Sequence, residues 1–102
     1  MQYVQNTEQI NALATGSTAG TALQANNARV YWQIQNVGTN PIYLLWGSGT
    51  ASATNCNEVL KADTSALAGA GGIYRSQGPV VYDGVVSVGG TAPTYIAFDM
   101  TP

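Results

Sequence analysis

Histidine is absent from the 102-residue sequence, and cysteine occurs once, as Cys56. Histidine is the commonest general base of enzymes, and a structural zinc site needs several cysteine or histidine ligands. The acidic residues after position 50 fall in separate expected elements, so the sequence marks no pair of carboxylates for acid–base catalysis. From these absences we expect a protein that is not an enzyme and that needs neither a metal nor another cofactor.

Charged residues make up 8% of the sequence, whereas a typical soluble domain has roughly 25%. The three basic and five acidic residues give a net charge of −2 and form no basic cluster. Binding to nucleic acid or to an anionic membrane surface needs several lysines or arginines on one face, so we expect neither partner. A weakly charged surface gives little protection against association, and we interpret it as partly covered by other subunits or adapted to conditions outside cells.

Targeting segments are not apparent in the sequence. The first ten residues, MQYVQNTEQI, have neither the basic region nor the apolar core of a signal peptide. No run approaches the ~20 apolar residues of a transmembrane helix, and a single cysteine excludes an internal disulfide. We therefore expect synthesis and folding in a cytoplasm.

The clearest structural pattern lies at residues 29–47, RVYWQIQNVGTNPIYLLWG. Side chains alternate in character from Val30 to Gln35, which is typical of a strand with one buried face. Residues 36–41, NVGTNP, have the composition of a turn, and Ile42–Trp46 is a second apolar run. Together they predict a β-hairpin.

The remainder of the chain contains shorter strand-like runs separated by Gly-rich turns, which predict an all-β fold. We expect an antiparallel β-sandwich or a jelly-roll-like barrel of about 7–8 short strands. Residues 7–14 are compatible with a short helix or a strand. The further predicted strands are Thr21–Leu23, Asn57–Lys61, Ile73–Ser76, Val80–Tyr82, Val85–Val88 and Thr94–Asp99.

The strand pattern also predicts a domain organisation and a core. Residues 21–102 are expected to form one sandwich domain, and residues 1–20 an N-terminal arm or first strand that reaches a neighbouring subunit. In the last predicted strand, Ile96 and Phe98 are expected to face the core, opposite Tyr95 and Ala97.

Aromatic residues are concentrated in the two strands around the NVGTNP turn. Trp32 and Trp46 share a face with aliphatic neighbours, so we assign both to the core. Tyr31 and Tyr43 lie on the opposite faces, where a tyrosine offers a large contact area at low entropic cost. Leu45 lies on the same face as Tyr43, and this apolar pair predicts a surface covered by another subunit.

Two further residues have alternative interpretations. Arg29 follows Asn26, Asn27 and Ala28 at the start of a predicted strand, and its guanidinium fork suits carbonyl oxygens or a carboxylate. We favour an internal role in pinning a loop over a contact with another subunit. Cys56 is interpreted as a small apolar filler, because the sequence places no cationic residue beside it to activate the thiol.

The run LQANNARVYWQIQNVGTNPIYLLWG, Leu23–Gly47, resembles a recurrent type of small protein of tailed bacteriophages. In those chains an Asn-x-x-Arg start leads into an I-Q-N strand and then a G-x-x-P-I/V-Y turn and strand. The L-K-A step at Leu60–Ala62 and a V-x-x-G step in the run from Val85 continue the resemblance, although L-K-A departs from the commoner Gly-rich form. Asp99 loosely matches the acidic residue that closes the pattern.

The resemblance implies a structural protein of the virion, namely a capsid decoration or cement protein made in the cytoplasm of a bacterial host. We expect a homo-oligomer, with a trimer favoured, that also contacts the major capsid protein. The expected subunit contacts are Tyr31, Tyr43 and Leu45. The expected arm contacts to the capsid protein are Tyr3, Val4 and Ile10. The alternative is a receptor- or glycan-binding module of a phage fibre or tail, with exposed aromatic rings in a concave site.

Overall fold

A computed structural model of the chain describes residues 9–10, 14–16, 19–47, 49–63, 71–77 and 80–102. Within these residues the backbone forms nine β-strands and no helix. In chain order the strands are β1 (Gln9–Ile10), β2 (Ala14–Gly16), β3 (Gly20–Leu23), β4 (Tyr31–Asn36), β5 (Ile42–Trp46), β6 (Glu58–Leu60), β7 (Ile73–Arg75), β8 (Val86–Gly89) and β9 (Tyr95–Thr101).

The strands form two antiparallel sheets with a shared core. The first sheet has the order β1/β2–β9–β4–β7, in which β1 and β2 follow one another along the same edge of β9. The second sheet has the order β3–β8–β5–β6. Counting β1 and β2 as one interrupted strand gives eight strand positions, four in each sheet. Consecutive strands alternate between the sheets except for the β5–β6 pair, which is the connectivity of a jelly roll. The predicted all-β antiparallel sandwich is confirmed.

The predicted hairpin between β4 and β5 was wrong, because the two strands belong to different sheets. β4 pairs with β7 and β9, whereas β5 pairs with β6 and β8. Residues 37–41 therefore carry the chain from one sheet to the other. Each strand buries one face in the shared core, so the two apolar runs face one another across the sandwich and do not pair side by side.

The core lies between the sheets and receives buried apolar side chains from both of them. The prediction that Trp32 belongs to the core is confirmed, since it is 1% exposed. The phase predicted for β9 was wrong, because Tyr95 and Ala97 are buried whereas Ile96 and Phe98 are partly exposed. The other buried members of the core are Ala22, Leu23, Ile34, Ile42, Leu44, Leu60, Val86 and Val88.

The β5–β6 connection folds over the outer face of the second sheet. A Cβ atom at Gly89 would clash with the carbonyl oxygen of Ala51, so only glycine allows this close approach. Leu45 is 7% exposed although it lies on the outer side of β5, and Gly49 of the same connection lies beside it. The chain itself therefore covers the apolar surface that the sequence assigned to a second subunit.

The strand predicted at Val80–Tyr82 was also wrong. Residues 80–85 belong to the β7–β8 connection, and Val80 is 86% exposed. The carbonyl groups of Tyr82 and Gly84 bond to the side chain of Arg29 instead of joining a ladder. The β-branched residues of this run did not suffice to form a strand, because these backbone carbonyls bond to the Arg29 side chain and not to a neighbouring strand.

The described residues of the N-terminal segment belong to the first sheet. Gln9 and Ile10 pair with the end of β9, and Ala14–Gly16 pair with its beginning. Residues 9–10 and 14 thus lie in strands, which is one of the two alternatives for residues 7–14, and the contact of residues 1–20 with a neighbouring subunit stays a prediction. Among the described residues no helix is long and apolar enough to cross a membrane.

Candidate functional site

At one end of the sandwich, Arg29 joins its own β3–β4 connection to two segments that are distant in sequence. Its Nε donates to Asp99 Oδ2 on β9 at 2.9 Å. Its Nη1 donates to the carbonyl groups of both Tyr82 and Gly84, at 3.0 and 2.9 Å. Its Nη2 donates to the carbonyl of Gln24 at 2.6 Å. The side chain is fully buried, so this network offers no donor to an external ligand.

Asn26 completes the same network from the β3–β4 connection. Its side-chain Nδ2 donates to Asp99 Oδ2 at 3.3 Å, and its Oδ1 accepts from the backbone N–H of Ala28 at 3.1 Å. Its backbone N–H donates to the carbonyl of Asp83 at 2.8 Å, and its own carbonyl accepts from the N–H of Arg29 at 3.0 Å. The predicted internal role of Arg29 is confirmed: the fork pins two loops against the last strand.

At the opposite end, the buried side chain of Asn36 organises the crossing between the sheets. Its Nδ2 donates to the carbonyls of Asn40 and Leu60 at 2.8 and 3.1 Å, and its Oδ1 accepts from the N–H of Gly38 at 2.9 Å. One amide therefore connects β4, the 37–41 turn and β6. A buried polar group with these partners stabilises the corner and leaves no unused donor.

The segment before β7 covers the end of β6. The N–H of Gly72 donates to the carbonyl of Lys61 at 3.0 Å, and the N–H of Asn36 donates to the carbonyl of Gly72 at 2.9 Å. A Cβ at Gly72 would lie 2.9 Å from the nitrogen of Lys61 and 3.2 Å from the Cα of Leu60. This part of the β6 edge is therefore occupied by the chain itself.

An aromatic cluster spans the gap between the sheets near β7. The ring centroids of Trp32 and Trp46 lie 5.4 Å apart with an edge-on arrangement. Tyr74 lies 4.7 Å from Trp32 and 4.8 Å from Trp46. Trp32 is buried, whereas Trp46 and Tyr74 are partly exposed at the margin of the core. Trp46 packs against the core as predicted and also presents part of its ring to solvent.

The outer side of the first sheet carries an uncharged patch, which we name the amide–aromatic face. The register places Tyr31 opposite Met100, Gln33 opposite Phe98 and Gln35 opposite Ile96. All of these side chains are partly exposed. The face comprises Tyr31, Gln33, Gln35, Ile96, Phe98 and Met100.

Internal contacts order the amide–aromatic face. The Tyr31 hydroxyl donates to Gln33 Oε1 at 2.9 Å, and the Tyr31 and Phe98 rings lie 6.1 Å apart in a tilted arrangement. Arg75 lies opposite Gln33 on the edge strand β7 and places a charge at the margin of the face. A patch with internal contacts, an uncharged centre and a charged margin is typical of a protein contact surface.

The structure places the predicted contact residues on two opposite sides of the sandwich. Tyr31 lies on the outer face of the first sheet, whereas Tyr43 and Leu45 lie on the outer face of the second. Tyr31 and Tyr43 are partly exposed, whereas Leu45 has little surface left for a partner. The tyrosines therefore belong to separate surfaces and do not form one site.

The three residues assigned to the N-terminal arm are described only in part. The backbone of Ile10 pairs with that of Met100, which places Ile10 beside the amide–aromatic face. Tyr3 and Val4 lie outside the described residues. Their contact with a capsid protein stays a prediction.

Phe98 and Met100 are surface residues that the sequence analysis missed. The β9 run has apolar residues in both phases of its alternation, so periodicity alone could not tell the inner from the outer face. Asp99 was the residue from which the inner face of β9 could have been recognised. Its carboxylate pairs with the internal Arg29, so Asp99 lies on the inner face, and Tyr95 and Ala97 lie on the same face because side chains alternate along a strand.

The chemistry offered by the described residues is limited. They contain no group of three or more His, Cys, Asp or Glu side chains that could hold a metal ion. Cys56 is a partly exposed free thiol in the β5–β6 connection. Burial raises the pKa of the Tyr95 hydroxyl above its ordinary value.

Comparison with family models, with curated proteins and with solved structures found no match for the chain. Function therefore has to be inferred from the residues themselves and from the surfaces they form.

Proposed function

We propose that this protein is a structural component of a bacteriophage virion, a decoration or cement protein that stabilises the capsid. It does no chemistry on a substrate; it binds copies of itself, as a trimer, and the major capsid protein. Its place is the assembled particle, after synthesis in the cytoplasm of the bacterial host.

The observation that carries the proposal is the amide–aromatic face. Its centre has aromatic, aliphatic and amide side chains and no charge, whereas charge is what keeps ordinary surfaces apart. Glutamine amides are both donors and acceptors, so Gln33 and Gln35 are compatible with a second identical face as well as with another protein.

The position of a second candidate surface also supports a bridging role. Tyr43 lies on the outer face of the opposite sheet, so the two tyrosines point away from each other across the sandwich. A cement protein has to hold two neighbours at once, and contacts on two opposed faces allow one copy to lie between them.

The size of the amide–aromatic face favours action by many copies. Six side chains form it, whereas a standard stable interface has about 20–30 residues on each side. A single contact of this size is weak, but repeated contacts on one particle multiply through effective concentration. Binding to the assembled shell also stabilises that state over the free components by mass action.

The fold and the sequence pattern agree with this proposal without deciding it. Eight-stranded jelly rolls occur in viral capsid and lectin domains, and a fold alone does not assign a function. The Leu23–Gly47 pattern, which resembles small proteins of tailed bacteriophages, raises the first of these possibilities.

The proposal is tested by binding purified protein to expanded capsid shells that lack it. The variant Gln33→Glu places a carboxylate in the centre of the amide–aromatic face, and the matched variant Gln77→Glu makes the same change at an exposed position beyond the end of β7. We expect Gln33→Glu to weaken shell binding by about tenfold or more, since about 1.4 kcal/mol corresponds to one decade. Gln77→Glu should bind as the unmodified protein does.

Sedimentation of the unmodified protein tests the oligomer separately. We expect one of two results. Either the free protein is a trimer that Gln33→Glu weakens, or the trimer forms only when the protein is bound to the shell. A stable monomer that fails to bind expanded shells would contradict the proposal.

A glycan- or receptor-binding module of a fibre or tail is the second candidate, and the aromatic cluster favours it. Trp46 and Tyr74 present parts of their rings to solvent while the buried Trp32 supports both from beneath. Rigid aromatic rings at the margin of a sandwich suit stacking against the apolar side of a sugar.

A glycan array with the purified protein discriminates between the two functions. The module hypothesis expects a hit that Tyr74→Ala abolishes while shell binding is absent. Co-purification of the protein with capsids that lack tails would count against the module and in favour of the cement protein.

A further inference from the structure

The β7–β8 connection contains an Asp-Gly dipeptide whose backbone is held by bonds from two other segments. The carbonyl of Asp83 accepts from the N–H of Asn26 at 2.8 Å. The carbonyls on either side of it, those of Tyr82 and Gly84, accept from Nη1 of Arg29 at 3.0 and 2.9 Å. Three consecutive carbonyl groups are thus fixed, while the carboxylate of Asp83 is exposed to solvent.

We propose that Asp83–Gly84 is the site of spontaneous aspartate isomerisation in this chain, and that the bonds from Arg29 and Asn26 hold the reaction in check. The proposal is independent of the function proposed above. It concerns how long a copy of the protein keeps its native backbone.

The reaction at an Asp-Gly dipeptide needs only water. The backbone nitrogen of Gly84 attacks Cγ of Asp83, a C–N bond forms, and one water molecule leaves with a carboxyl oxygen to give a succinimide. Water then opens the ring. Attack at the α-carbonyl leaves the chain running through the β-carboxyl, as isoaspartate, and attack at the other carbonyl restores aspartate. No oxidant or co-reactant takes part.

The succinimide ring sets one orientation of the peptide plane between Asp83 and Gly84 about the Cα–C bond of Asp83, and we infer that the plane has to turn to reach it. That plane contains both the Asp83 carbonyl oxygen and the Gly84 nitrogen, so turning it moves the oxygen away from Asn26. The fixed carbonyls of Tyr82 and Gly84 restrict the two flanking bonds in the same way. Reaction therefore requires a locally opened state in which one or more of these bonds is broken.

The ring of Tyr82 restrains the dipeptide from the other side. A Cβ at position 84 would clash with the Tyr82 hydroxyl oxygen, and its ring carbon Cζ would lie 2.6 Å from that Cβ. An added Cβ would therefore require the partly exposed Tyr82 ring to move, whereas glycine, which needs no such shift, is also the residue that least hinders the attacking nitrogen. The fold thus contains a reactive dipeptide, and the bonds from Asn26 and Arg29 restrict its motion.

The test measures isoaspartate at position 83 by mass spectrometry after prolonged incubation at neutral pH. The intact chain is compared in its folded state and unfolded in urea, at the same temperature. We expect the folded protein to isomerise at least about tenfold more slowly, since opening the cage breaks several bonds and about 1.4 kcal/mol corresponds to one decade. Equal rates, or a faster reaction in the folded protein, would overturn the proposal.

Two variants test the contribution of the Arg29 fork to the cage. Arg29→Lys retains a positive charge but loses the fork, and we expect about a three- to tenfold faster isomerisation in the folded state, the effect of losing one hydrogen bond. Arg75→Lys makes the same change at an exposed position and should leave the rate unchanged. An Arg29→Lys protein that folds and isomerises at the original rate would contradict the proposal.

If Arg29→Lys does not fold, the comparison of folded and unfolded chain still decides the question. Asp83→Glu provides the chemical control, because its longer side chain disfavours ring closure while keeping the carboxylate. We expect no modification at position 83 in that variant, and a signal that persists would show that the observed product arises elsewhere.

Discussion

Arg29 and Asp99 are 70 positions apart in the sequence, yet Arg29 Nε lies 2.9 Å from Asp99 Oδ2 in a buried ion pair. The pair connects the start of β4 to the last strand, its partner in the same sheet. The guanidinium also donates to three backbone carbonyls, and each of these carbonyls belongs to a loop. Burial of the charges is thus compensated by the ion pair and by three further hydrogen bonds, which is the condition under which such a pair persists.

Removing the guanidinium should strongly destabilise the fold. Arg29→Ala leaves the Asp99 carboxylate buried without its cation, and breaking a buried pair in this way costs about 3–5 kcal/mol. Urea unfolding followed by tryptophan fluorescence measures the loss. Arg75→Ala, at an exposed arginine, should change the free energy of unfolding by no more than about 0.5 kcal/mol. Similar effects of the two substitutions would contradict the role given to Arg29.

The corner at Asn36 should depend on the amide more than on the volume of the side chain. Asn36→Ala removes three hydrogen bonds and leaves buried carbonyls without a donor, for an expected loss of about 2–4 kcal/mol. Asn40→Ala removes one exposed side-chain bond, to Thr91, and should lose about 1 kcal/mol or less. Thermal unfolding of the two variants checks the order, and an equal loss would show that the amide is not central.

The two tryptophans should differ in stability effect and in accessibility. Trp32→Ala removes a fully buried ring, with an expected loss of about 3–5 kcal/mol. Trp46→Ala should lose less, because part of that ring already meets water. In the Trp46→Phe protein the remaining fluorescence should resist quenching by acrylamide. Ready quenching of Trp32 in that protein would contradict its burial.

The approach of the β5–β6 connection to the second sheet should be sensitive to one methyl group. Gly89→Ala places a Cβ against the carbonyl oxygen of Ala51, and such overpacking costs about 1–3 kcal/mol. The displaced connection should also let Cys56 react faster with a thiol reagent. Ser87→Ala, at a neighbouring position of β8, serves as the control and should leave both properties nearly unchanged.

The stability of the protein should fall at alkaline pH through Tyr95. Burial raises the pKa of its hydroxyl in the folded state above the ordinary value near 10. The folded state therefore holds its proton where the unfolded state has released it, so the contribution is complete below pH 10 and is lost as the pH rises through the folded-state pKa. Melting temperatures from pH 8 to 11 should fall less steeply for Tyr95→Phe. Parallel curves would exclude this contribution.

Sequence reasoning was strongest where a local pattern and a chemical requirement coincide. The alternation of β4 predicted its buried Trp32, and the fork of Arg29 predicted an internal anchor, both confirmed. Strand pairing was harder to predict from the sequence. Whether two strands form a hairpin or cross between sheets depends on which parts of the protein pack against their apolar faces. The side chain of Asn36 holds the crossing in place, and its partner Leu60 lies 24 positions further along the chain.

The candidate surface was predicted only in part for a related reason. Tyr31 follows from the alternation of β4, but its neighbour Phe98 depends on the phase of β9. The covering of Leu45 depends on a backbone approach at Gly89. Neither tertiary contact leaves a periodic trace in the sequence, because each depends on a single residue in another segment.

The covered end of β6 affects how closely packed molecules of this protein contact one another. The carbonyls of Leu60 and Lys61 already accept bonds from Asn36 and Gly72, and the Gly72 backbone lies against that stretch. A strand from a neighbouring molecule would have to displace this segment before it could add to the sheet there. At this end of β6, molecules held side by side at very high local density would then meet through side chains, and joining their ladders there would first require the Gly72 segment to detach.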